Sequence, residues 1–171
     1  ALSRMDTLPD PETTGVVGSD NIILRALDIG SQHGDPDIQR HAMRVIALAL
    51  SRQGVPSIST LEAVHSWDLL RTSDDPLARR LATELLVRLQ APDLPAQLVP
   101  IMETAHTQED GLHAALLLRL VENDWNDDLR RRYLQWLRSH QNLAGGRSIN
   151  GFVKAIESDA LKRWDRYVAF W

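Results

Sequence analysis

The stretch DDPLARRLATELLVRLQ, residues 74–90, decides how the rest of the chain reads. Asp75-Pro76 opens it, Arg79 and Arg80 follow, and Leu81, Ala82, Leu85, Leu86 and Leu89 then recur at helical spacing. An aspartate just before a helix accepts hydrogen bonds from first-turn N–H groups that lack a partner. A proline at the first helical position loses nothing by lacking its own N–H. Forty residues earlier the chain does nearly the same, with Asp35-Pro36 followed by Arg40, Ala42, Val45, Ile46 and Ala49. The two stretches predict helices ending near Gln90 and Arg52.

A recurrence of this period on helices predicts an all-α fold, a right-handed α-α superhelix of HEAT- or armadillo-like pairs, about four in number. Outward from the quoted stretch, Asp20 is expected to cap a first helix over 21–31, and Ser57 or Ser59 a third that carries Leu61, Val64, Trp67, Leu69 and Leu70 to about Arg71. Leu94-Pro95 starts a fifth, which Pro100 should kink or shorten. Thr107 caps a sixth with Glu109 and Asp110 in its first turn, where the helix dipole favours acids. Asn126 or Asp127 starts a seventh; Ser148 caps an eighth that runs on towards Trp171. Asp35, Asp75 and Thr107 each open the second helix of a pair, 40 and then 32 residues apart. Arg40 and Arg80, one turn after their caps, are expected to bond across to the neighbouring repeat. Residues 1–19, with Pro9, Pro11, Gly15 and Gly18, read as a linker or irregular segment, and 20–171 as the repeat domain.

The formal net charge of −4 sets up no global field for nucleic acid or acidic lipid. All but Lys154 and Lys162 of the 19 basic residues are Arg. With no cysteine, disulfides, thiolate nucleophiles, zinc ribbons and C-x-x-C-H haem attachment are excluded from this segment. No apolar run is long enough for a membrane span, and residues 1–15 do not form a signal peptide. The first residue is not Met, so the chain reads as a mature form or a piece of a longer protein.

Chemistry-bearing residues each have a structural explanation. His106 and His113, and His33 and His41, are spaced unlike an i, i+4 ligand pair, so no metal is assigned. Asp124, Asp127 and Asp128 flank Trp125 without the alternation of a calcium loop and read as a helix start. Arg130, Arg131, Arg132 and Arg138 form the basic run; Leu129, Tyr133, Trp136 and Leu137 make the buried stripe beside it. Arg131, Arg132 and Arg138, with Arg147 and Trp171, are the candidate interaction surface. Gly145-Gly146-Arg147-Ser148 lacks the P-loop pattern, and no serine lies in G-x-S-x-G. No catalytic residue and no cofactor site is assigned.

Residues Gln108–Leu161 resemble the helical-repeat region of large exported proteins of planctomycetes and related bacteria. The resemblance rests on Glu109-Asp110, His113-Ala114, Trp125, Leu129-Arg130-Arg131, Tyr133, Trp136, Gly145-Gly146, Ser148, Phe152 and Asp159-Ala160-Leu161. Those proteins join a PQQ-type dehydrogenase propeller, HEAT-like helices and a c-type cytochrome domain. The resemblance implies a periplasmic or otherwise exported helical connector, in or beside an electron-transfer dehydrogenase, with a cytochrome or propeller as partner. Ile149 stands where relatives carry an aromatic, and the chain has no Cys-x-x-Cys-His, so no catalytic or haem-ligating residue transfers. The reading is a non-catalytic scaffold or protein-interaction module. The alternative is a HEAT-like enzyme of the DNA glycosylase or tetrapyrrole lyase class, which needs a positive groove with an exposed tryptophan or a deep apolar cleft. An oligomer-forming subunit is a third reading, supported if Trp164, Tyr167, Phe170 and Trp171 are exposed.

Overall fold

The computed structural model describes residues 11–67, 73–141 and 147–164. Among them are eight helices and no strand. They are α1 (Pro11–Gln32), α2 (Pro36–Gln53), α3 (Ile58–His65), α4 (Pro76–Arg88), α5 (Leu94–Glu103), α6 (Gln108–Leu118), α7 (Asp127–Ser139) and α8 (Arg147–Arg163). The chain is thus all-α, and it divides into two compact units, Ala1–Leu89 and Gln90–Trp171. The sequence readings on residues 1–10, Leu69, Leu70, Arg71, Gly145, Gly146, Tyr167, Phe170, Trp171 and the Arg147 side chain lie outside the described residues.

In the first unit α1 packs along α2, α2 packs on α4, and α3 leans on α1. The core holds Ile23, Leu27, Ile46, Leu50, Val64 and Leu85. Helix α1 begins at Pro11, inside the stretch expected to be irregular. A first-turn proline favours such a start, and the helix tolerates Gly15 and Gly18 at about 1 kcal/mol each. Asp20 is therefore no cap. It lies inside α1, where its carboxylate accepts the Ser57 N–H at 3.2 Å and ties the start of α3 to α1. Helix α3 stops at His65, short of the expected Arg71. The Ser66 hydroxyl donates back to the Ala63 carbonyl at 2.8 Å, the kind of local bond that competes with the helix. Trp67, freed from the helix, lies over Gly30 of α1, where only a hydrogen fits between indole and backbone.

In the second unit α6 packs on α5, α7 on α5, and α8 on α7. Trp125, Tyr133 and Trp164 form a buried aromatic cluster, with Trp125 and Trp164 edge-on at 4.8 Å between ring centroids. Such pairs add about 1 kcal/mol beyond their burial. Trp164 is thus core, not the exposed tail residue that an oligomer end would show. Pro100 sits within α5, which ends three residues later. Two connections clasp each other. Gln90 donates to the Leu120 carbonyl at 3.0 Å and accepts the Glu122 N–H at 2.9 Å, while the Asp124 carboxylate accepts the Asp93 N–H at 3.0 Å. Gln90, Asp93 and Asp124 all have positive φ, a conformation that costs a non-glycine residue energy unless its surroundings fix it.

Candidate interaction surface

The capping residues define the frame on which any surface sits. The Asp35 carboxylate accepts the Asp37 N–H at 2.8 Å with Pro36 at the helix start, and the Asp75 carboxylate accepts the Ala78 N–H at 2.9 Å with Pro76 in the same role. Both caps share an extended backbone conformation. Thr107 accepts the Asp110 N–H at 3.1 Å at the start of α6. Arg40 leaves α2 and pairs with the Asp75 carboxylate at the head of α4, and with Asp37 on its own helix. Its hydrogen bonds to Asp37 and Asp75 raise the guanidinium pKa. Burial pushes the Asp75 carboxyl up, but the bonds from Arg40 and the Ala78 N–H outweigh it, and the net shift is downward. Arg80 lies one turn into α4, half-buried.

The basic run of α7 is largely matched by acids. Arg130 pairs with Asp127 and stacks over Trp164, 5.6 Å from the ring centroid; Arg131 pairs with Asp128. Arg132 grips Glu103 of α5 with two bonds of 3.0 and 2.5 Å, which raises its own pKa and lowers that of Glu103. Arg138 reaches Glu157 of α8 at 2.8 Å. Of the expected surface residues, the structure brings Arg131 and Arg138 together beside Leu134 and Gln135, around a concavity of about 170 Å³. Arg132 turns away to Glu103. Among the described residues no three His, Cys, Asp or Glu side chains converge as metal ligands, and no helix is long and apolar enough to cross a membrane. Asp124, Asp127 and Asp128 each hold a protein partner instead.

A surface that sequence reasoning missed lies on the first unit. Between α1 and α2 runs an open groove of about 600 Å³, walled by Ile22, Ala26 and Ile29 on one side and Ile38, Ala42 and Val45 on the other. Arg25, Asp37 and His41 also line it. Ile22, Ile29 and Val45 are each more than two-fifths exposed, and the neighbouring Leu48 is 56 % exposed. Isolated apolar residues on a surface are ordinary, whereas a contiguous apolar groove is a candidate binding surface. The apolar periodicity of α1 and α2 was visible, but periodicity counts apolar faces and does not say which faces have a neighbour. No family model, no curated protein and no solved structure matches the chain.

Proposed function

We propose that this chain is a non-catalytic helical-repeat scaffold, a protein-interaction module whose working surface is the α1–α2 groove. The observation that carries the reading is the groove itself: exposed Ile22, Ile29 and Val45 line one concavity, whereas other exposed apolar residues such as Val55, Ile58 and Leu120 do not line it. The paired arginines support it further. Arg132 and Arg138 hold Glu103 and Glu157, so their charge is spent on fastening helices together. The tryptophans at 125, 136 and 164 are buried, which disfavours the base-stacking face that the glycosylase alternative requires. The exported context, beside a dehydrogenase propeller or a c-type cytochrome, rests on the resemblance of Gln108–Leu161 alone. The test is co-purification of the full chain with the domains encoded on either side of it, for wild type and Val45→Glu. Retention that Val45→Glu abolishes supports the proposal, and no association at high protein concentration refutes it.

A further inference from the structure

We draw no further inference here: the strongest candidate, the apolar groove between α1 and α2 lined by Ile22, Ile29 and Val45, is the surface already described, and nothing in the structure shows what covers it.

Discussion

Gly30 is the most crowded of the described glycines in the first unit and a good place to test its packing. A Cβ there would lie 2.6 and 2.8 Å from the Trp67 ring and 2.9 Å from the Ala42 Cβ. Contacts that short do not occur, so Gly30→Ala must move the indole, α2, or both. Gly30 lies in the last turn of α1, where alanine gains less than the about 1 kcal/mol it gains over glycine in a helix interior. Overpacking a formed core costs about 1–3 kcal/mol, and the upper end applies because a rigid ring and a Cβ fixed to backbone both obstruct. The net expectation is a loss of about 1–2 kcal/mol. Urea unfolding followed by circular dichroism measures it, and amide exchange in α1 and α2 localises it to this unit. In a Trp67→Leu background most of the obstruction is gone, so the added cost of Gly30→Ala should fall by about 1 kcal/mol or more. A Gly30→Ala variant as stable as wild type would refute the claim that indole and helix meet over a bare glycine.

Gly151 makes the contrast: it sits in α8 with open space where a Cβ would go, so Gly151→Ala should stabilise the second unit by about 0.5–1 kcal/mol in the same urea assay. Tyr133 is fully buried and donates to the Ala115 carbonyl at 2.8 Å. That carbonyl also accepts the Arg119 N–H, so Tyr133→Phe leaves no orphan and should cost only about 1 kcal/mol by chemical denaturation. Burial lowers the His65 pKa below its ordinary value. The unfolded chain then binds the proton more readily, so stability is full above an unfolded pKa of about 6.5 and declines as pH falls below it. Melting between pH 7 and 5 should show that decline in wild type and a smaller one in His65→Gln. Asp75 and Glu103, both lowered by their arginines, add a separate loss only as pH falls below about 4.

Helix starts were legible because capping is local. Asp35-Pro36, Asp75-Pro76 and Thr107 each carry the whole signal within four residues, and helices begin at Pro36, Pro76 and Gln108. Helix ends and the unpartnered face were not. The end of α3 depends on Ser66 and on Trp67 finding Gly30, some 37 residues away in sequence. Aspartate in a helix interior looks like a cap until its partner, the Ser57 N–H, is known. The acids that match Arg132 and Arg138 were not legible either, because they sit 29 and 19 residues away, on α5 and α8. Whether Trp164 packs or is exposed is not legible in the sequence, because its partners, Trp125 and Tyr133, lie 39 and 31 residues away.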